Sequence, residues 1–172
     1  MLAKFYIGLG TNLGQRRANL AHVVQLLKTR INVLQLSSIY ETEAAYVEDQ
    51  PAFLNMVLLG AAPAKDLSPR DLLKFGNEVE RAMGRERLVR YGPRLIDVDI
   101  LTYDDLEINE PDLVIPHPRL VERDFVLAPL MEIAPVLILP GQTLTVAELA
   151  QRLPGIGKVL RVESSLGESL DR

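Results

Sequence analysis

Two aspartates one residue apart, Asp97 and Asp99, follow a short run that holds Arg85, Arg87, Arg90 and Arg94. Leu95 to Tyr103 reads as a strand, and side chains two apart on a strand share a face. Both carboxylates then point one way, while Ile96, Val98 and Ile100 point the other. Backbones at that spacing lie about 7 Å apart, so the two charges repel each other unless something positive sits between them. A hard divalent cation meets that need: Mg²⁺ takes oxygen ligands, keeps several waters and completes its shell with phosphates. The arginines suit the same chemistry, because a guanidinium forks onto phosphate oxygens. The bland alternative is a solvated strand face with surface ion pairs to Arg94 or Arg90, beside a charged loop partly neutralised by Glu80 and Glu86. It accounts poorly for arginine rather than lysine.

Further along, Val114-Ile115-Pro116-His117-Pro118-Arg119 sets a histidine between two prolines, with Arg123 and Phe125 following. Prolines restrict the local backbone, and the imidazole could donate to a phosphate. His22 falls inside a helical pattern and carries no such suggestion. The run Gly8-Leu9-Gly10-Thr11-Asn12-Leu13-Gly14 is not a dinucleotide fingerprint, since Leu13 stands where the third glycine belongs. No Gly-x-x-x-x-Gly-Lys-Ser/Thr run is present either.

The elements that must position these residues interleave. Phe5 to Leu9 reads as a buried strand, with Gly8, Gly10 and Gly14 around a turn before Leu20, Val23, Val24, Leu27 and Ile31 recur at helical spacing. Val33 to Tyr40 and Phe53 to Leu59 read as strands flanking the polar stretch Glu41 to Gln50, a loop long enough to be functional. Ser68 caps a helix with Pro69 in its first turn, and Leu72, Leu73, Val79 and Met83 line one side until Gly84. Phe125 to Ile133 is a further helix, and Thr145 with Glu148 forms a capping-box signature for a last one. Strands alternating with helices imply a layered α/β or α+β domain.

The chain has 172 residues with 48% hydrophobic content, enough to bury a core in one domain. We expect that domain to span residues 1–162, with a frayed tail over 163–172. The absence of cysteine removes disulfides, thiolate metal sites and thiol nucleophiles, and fits a reducing, cytoplasmic setting. No apolar run approaches the ~20 residues of a membrane span, and the N-terminal apolar run is too short for a signal peptide. A net charge of −4 disfavours non-specific binding to nucleic acid.

Taken in order, Gly10-Thr11-Asn12-Leu13, Asp49-Gln50-Pro51-Ala52-Phe53-Leu54-Asn55, Arg90-Tyr91-Gly92-Pro93-Arg94-Leu95-Ile96-Asp97-Val98-Asp99-Ile100-Leu101 and Pro116-His117-Pro118-Arg119 resemble the 6-hydroxymethyl-7,8-dihydropterin pyrophosphokinase family. The similarity runs to about residue 162. It implies an α+β, three-layer α-β-α, ferredoxin-like fold with a largely antiparallel central sheet. It also implies transfer of pyrophosphate from ATP to the pterin hydroxymethyl group, with two Mg²⁺ ions on Asp97 and Asp99. Arg85, Arg94, His117 and Arg123 would contact the triphosphate, Arg87 and Arg90 would act from a mobile loop, and Ile100 would join the ATP-binding set. Arg85 and Arg94 would count with Asp97 and Asp99 as catalytic.

For the pterin, the resemblance implies hydrogen bonds from Thr42 and Asn55, stacking by Phe53 and Phe125, packing by Tyr91, and contacts from Ala44 and Ala45. Loops around Glu43 to Gln50 and Arg85 to Pro93 would close over the substrates, ATP binding first. Glu43-Ala44-Ala45-Tyr46 departs from the proline and glycine many relatives place after the matched threonine. Tyr91 and Phe53 stand where some members carry tryptophan and tyrosine. The partners implied are small-molecule substrates, with no nucleic acid, membrane or obligate protein partner. Two rival readings remain: another Mg²⁺-dependent nucleotidyl or phosphoryl transferase, and an RNA-binding module, against which the acidic balance and the lack of an aromatic RNA-binding run argue.

Overall fold

The computed structural model describes residues 1–44, 49–84, 93–163 and 166. Strand β1 (Leu2–Thr11) leads into helix α1 (Arg16–Leu27), then β2 (Asn32–Leu36), β3 (Ile39–Thr42), β4 (Phe53–Pro63), α2 (Pro69–Ala82) and β5 (Asp97–Tyr103). That order is βαββαβ with the second strand split in two. The sheet runs β5-β1-β4 and then β3, with β2 beside β3 along the same edge of β4, and its pairings are antiparallel. This is the ferredoxin-like arrangement expected. A hairpin of β6 (Ile108–Glu110) and β7 (Leu113–Ile115) follows, then α3 (Asp124–Ile133), α4 (Val146–Gln151) and β8 (Leu160–Glu163), which pairs with β3.

Alternation along the strands sorts side chains into two cores. On one face, Leu20, Val23, Val24 and Leu27 of α1 and Leu72, Phe75 and Val79 of α2 pack on Phe5, Ile7, Leu9, Met56, Leu58 and Ile100. On the other, Val126, Leu127 and Leu130 of α3 and Val146 and Ala150 of α4 pack on Val57 and Leu101. Each of these Val, Leu, Ile, Phe and Met side chains contributes about 1.5–3 kcal/mol on leaving water, so both helical layers are held chiefly by apolar burial. The α2 cap is as expected and more complete: Ser68 accepts from the Asp71 N–H, and the Asp71 carboxylate accepts from the Ser68 N–H. Thr145 and Glu148 form the same reciprocal box at α4.

Three elements differ from the expectation. Val33 to Tyr40 is two strands, because the chain bends at Ser37 and Ser38, where the Ser37 hydroxyl accepts from the Val57 N–H in place of a ladder carbonyl. Strand β1 runs past the expected Leu9 to Thr11, so Gly10 lies within it rather than beside a turn, and only Gly14, with φ of 63°, takes the left-handed conformation that glycine allows before α1. The two hairpin strands and β8 are each three or four residues long, too short to leave a periodic signal. Most of the tail from residue 164 lies outside the described residues; Leu166 is buried within the α1/α2-side core.

Candidate active site

The site lies on the α3 face of the sheet, at the end that α3 and α4 leave uncovered. Its floor is one row of paired residues: Asp97 of β5 opposes Gly10 of β1, and Gly10 opposes Asn55 of β4. A second row sets Asp99 opposite Gly8 and Gly8 opposite Val57. Adjacent strands lie about 4.8 Å apart, so the Asp97 and Asn55 backbones stand about 10 Å from each other across a glycine. A Cβ on Gly10 would approach the Asn55 Oδ1 to 3.1 Å, and one on Gly8 would meet Leu101 at 3.4 Å. The glycines keep the floor low enough for a ligand to span it.

One end is ionic. Arg94 Nη1 lies 2.5 Å from Asp97 Oδ2, and Arg123 Nη1 lies 3.9 Å from Asp99 Oδ2. The Asp97 side chain is 17% exposed and that of Arg123 12%, so this end is more than a solvated surface pair. The Arg123 Nε is buried without an acceptor among the described residues, which leaves a cationic donor for a ligand oxygen. His117 is drawn in by its own N–H, which donates to the Leu101 carbonyl at 2.9 Å as the chain leaves the β6–β7 hairpin. Its Nδ1 accepts from the Arg119 N–H, so the neutral ring carries its proton on Nε2. Burial, then Arg123 and Arg119, push the His117 pKa down to about 4.

The other end is amide and aromatic. Asn55 Nδ2 donates to Thr42 Oγ1 at 2.9 Å, and both residues are buried. Phe53, Phe125 and Val126 line the same cleft. The Arg94 guanidinium lies 5.7 Å from the Phe53 ring centre, and that of Arg123 lies 5.5 Å from Phe125, so each aromatic meets the ionic end through a cation. Helix α3 is anchored at its far end by Glu132, which accepts from the Ser38 hydroxyl at 2.8 Å and the Tyr40 hydroxyl at 2.7 Å. Burial and that carboxylate push the Tyr40 phenol up to about 12.

The structure thus gathers Thr42, Phe53, Asn55, Arg94, Asp97, Asp99, His117, Arg123 and Phe125 around one cleft. Ala44 is half-buried just beyond Glu43, which lines it. Ile100 does not join them: it alternates to the opposite face and packs among the α1/α2-side core. Ala45, Arg85, Arg87, Arg90 and Tyr91 lie outside the described residues, as do residues 45–48 of one loop expected to close and 85–92 of the other. His22 is exposed on α1, as its plain reading implied.

Asn12 is the residue the sequence reading passed over. It is 1% exposed, its Nδ2 donates to Gln50 Oε1 and the Pro51 carbonyl, and its Oδ1 accepts from the Arg94 N–H. One amide therefore ties the approach to β4 to the segment entering β5. The signal available was a polar pair, Thr11-Asn12, closing an otherwise apolar strand.

The fold and its cleft define the class: an antiparallel α+β sandwich with a charged end and an amide–aromatic end in one cleft. The particular family follows from comparison: the chain belongs to the 7,8-dihydro-6-hydroxymethylpterin-pyrophosphokinase (HPPK) family, whose sequence model matches residues 6–135. It is 45% identical over 130 residues to the Bacillus subtilis 2-amino-4-hydroxy-6-hydroxymethyldihydropteridine pyrophosphokinase, covering 74% of this chain and 76% of that protein. With the Methylorubrum extorquens protein of the same name it shares 39% identity over 160 residues, 92% of this chain and 99% of the other. It is also 39% identical over 154 residues to a Dictyostelium discoideum folic acid synthesis protein, where it spans 23% of the longer chain and the match covers 90% of this one. The crystal structure of wild-type Plasmodium falciparum HPPK-DHPS shares the fold, with a TM-score of 0.70, 14% identity, and coverage of 88% of this chain and 45% of that one. Among the described residues, no helix is long and apolar enough to cross a membrane.

Proposed function

We propose that this chain transfers pyrophosphate from ATP to the hydroxymethyl oxygen of 6-hydroxymethyl-7,8-dihydropterin, giving AMP and the pterin diphosphate. The observation that carries it is the row Asp97–Gly10–Asn55, which sets a cation-flanked carboxylate pair about 10 Å from a buried amide–hydroxyl pair. A pterin and a triphosphate, joined at the reacting hydroxyl, span such a floor.

Asn55 offers a donor and an acceptor to the edge of the heterocycle, and Thr42 one hydroxyl, while Phe53 and Phe125 cover apolar ring surface. Arg94, the orphan Nε–H of Arg123 and the Nε2–H of His117 donate to phosphate oxygens. Two Mg²⁺ ions would sit on Asp97 and Asp99. The donor set fits that ion: Asp97 and Asp99 offer hard carboxylate oxygens on one side of the cleft, and the remaining positions would fall to water and phosphate. Held there, magnesium would supply charge neutralisation for the transferring and leaving groups.

The protein's own part is positioning. It holds the pterin oxygen in line with the β-phosphorus, so that a new O–P bond forms as the bridge to the α-phosphate breaks and AMP departs. The hydroxyl proton would pass to a metal-bound carboxylate such as Asp99. No covalent enzyme intermediate is needed. Incubation with Mg·ATP and the hydroxymethyldihydropterin is expected to release AMP and pterin diphosphate in equal amounts. Release of ADP, or no pterin-dependent turnover by folded protein, would overturn the assignment.

A further inference from the structure

Behind the heterocycle end, on the opposite face of the sheet, Arg16 makes a contact that nothing in the site itself requires. Its Nη1 donates to Glu41 Oε2 at 2.8 Å and to the Ala52 carbonyl at 2.7 Å. Glu41 immediately precedes Thr42, and Ala52 immediately precedes Phe53. Thr42 and Phe53 are themselves partners, the last pair of the β3–β4 ladder and the point where the two strands part into the connecting loop. A ladder frays at its last pair unless something beyond the backbone holds it. Here one guanidinium bridges a side chain on one strand and the backbone entering the other.

We propose that Arg16 is a positioning residue for the heterocycle end of the cleft: by clamping Glu41 to Ala52 it fixes the separation of Thr42 and Phe53. Arg16 cannot touch a ligand in the cleft, since Glu41 alternates to the α1/α2 face while Thr42 points to the α3 face. Its effect therefore passes through the backbone. Asn12 holds the same loop at Gln50 and Pro51, and on the α3 face Asn55 donates to Thr42; Arg16 joins the two stems from the α1/α2 face. The ionic end should be indifferent to it, because Asp97, Asp99 and His117 are positioned by β5 and the hairpin. The inference rests on the pterin reading above.

The test measures KM for the pterin and for ATP separately, with melting temperature, in Arg16→Ala, Glu41→Gln and the double variant. Losing a hydrogen-bonded charge at a partly exposed site is expected to raise the pterin KM about 3- to 10-fold. The ATP KM should stay within about 2-fold, and the double variant should do no worse than the poorer single one, as two ends of one contact must. Both side chains are about one-third exposed, 31% and 35%, so folded variants are expected. If Arg16→Ala misfolds, Glu41→Gln carries the test alone. An unchanged pterin KM, or both KM values rising together with a lowered melting temperature, would overturn the proposal. Wild-type protein that turns over no pterin would instead sink the functional reading.

Discussion

The two faces of the sheet are built from the same strands and put to opposite uses. On the α1/α2 face, Ala3, Phe5, Ile7 and Leu9 of β1, Leu54, Met56, Leu58 and Ala62 of β4 and Ile100 of β5 are buried beneath two helices. On the α3/α4 face, the same strands begin in that way at Val57 and Leu101, then turn to Gly8, Gly10, Asn55, Asp97 and Asp99 where the helices stop. Period two is what makes this possible. Val98 can close a core and Asp99 open a site, one residue apart, without disturbing each other. Helix α2 even helps from behind: Glu80 accepts from the Val98 N–H at 2.8 Å, occupying the outer edge of β5 between the two aspartates. A face that seals and a face that works should fail in different currencies, one in stability and the other in turnover.

The sharpest way to break that contrast is at Asp97. Asp97→Ala is expected to lower kcat by about 1000-fold, in the range seen when a group stabilising transition-state charge is removed. Its melting temperature should move little, since the substitution also frees Arg94 from a pair that is not part of either core. A large loss of stability in Asp97→Ala, read by thermal unfolding, would mean the working face is structural after all. Next in size is Leu58→Ala on the sealed face. Leu58 is fully buried, and truncation is expected to cost about 2–5 kcal/mol of unfolding free energy in denaturant titration. The kcat per folded molecule should stay near wild type, and a matching drop in kcat would join the two faces.

The division was partly legible in the sequence and partly not. Asp-x-Asp within an apolar strand announces its own geometry, because strand alternation is local, and the two aspartates do share a face. Ser68 and Thr145 likewise cap the helices their spacing implied. Alternation also sends the Ile100 side chain to the sealed face with those of Val98 and Ile96, leaving only its backbone toward the working one. The clasp at Asn12 was beyond local patterns, because its partners are 38 to 82 residues away and nothing about an isolated asparagine names them. Gly10 was misplaced for a related reason. Glycine suggests a turn when read alone, whereas here it spares a strand floor the side chains that would fill it.

A smaller effect should separate the two ends of the working face. Asn55→Ala removes the amide but leaves the carboxylates and arginines intact. The pterin KM is expected to rise about 10- to 100-fold, as for a site left without its hydrogen-bonding partner, with little change in the KM for ATP. Gly10→Ala adds one methyl 3.1 Å from the Asn55 Oδ1 and is expected to shift the pterin KM in the same direction by less. Equal changes for both substrates, in steady-state kinetics with each varied in turn, would mean the row is a single site without a division of labour.

The smallest effect concerns pH and turns on His117. Its pKa is pushed down to about 4 in the folded chain, against an ordinary value near 6.5. Between those values the unfolded chain holds the extra proton and the folded chain does not, so stability rises with pH across this window. It is fully present above about pH 6.5 and lost as pH falls toward 4. His117→Gln removes the titration while keeping a donor, so its melting temperature should fall less than wild type between pH 7 and pH 4.5. Above pH 6.5 the two proteins should respond to pH alike. An identical loss in both over the acid range would show that the ring is already solvated, and that the ionic end is less enclosed than the exposure of its arginines indicates. A bound polyphosphate should reverse the shift, since an anion beside the ring favours the imidazolium. Proton uptake on ATP binding, measured by calorimetry in buffers of different ionisation enthalpy, should then appear near pH 6 in wild type and shrink in His117→Gln.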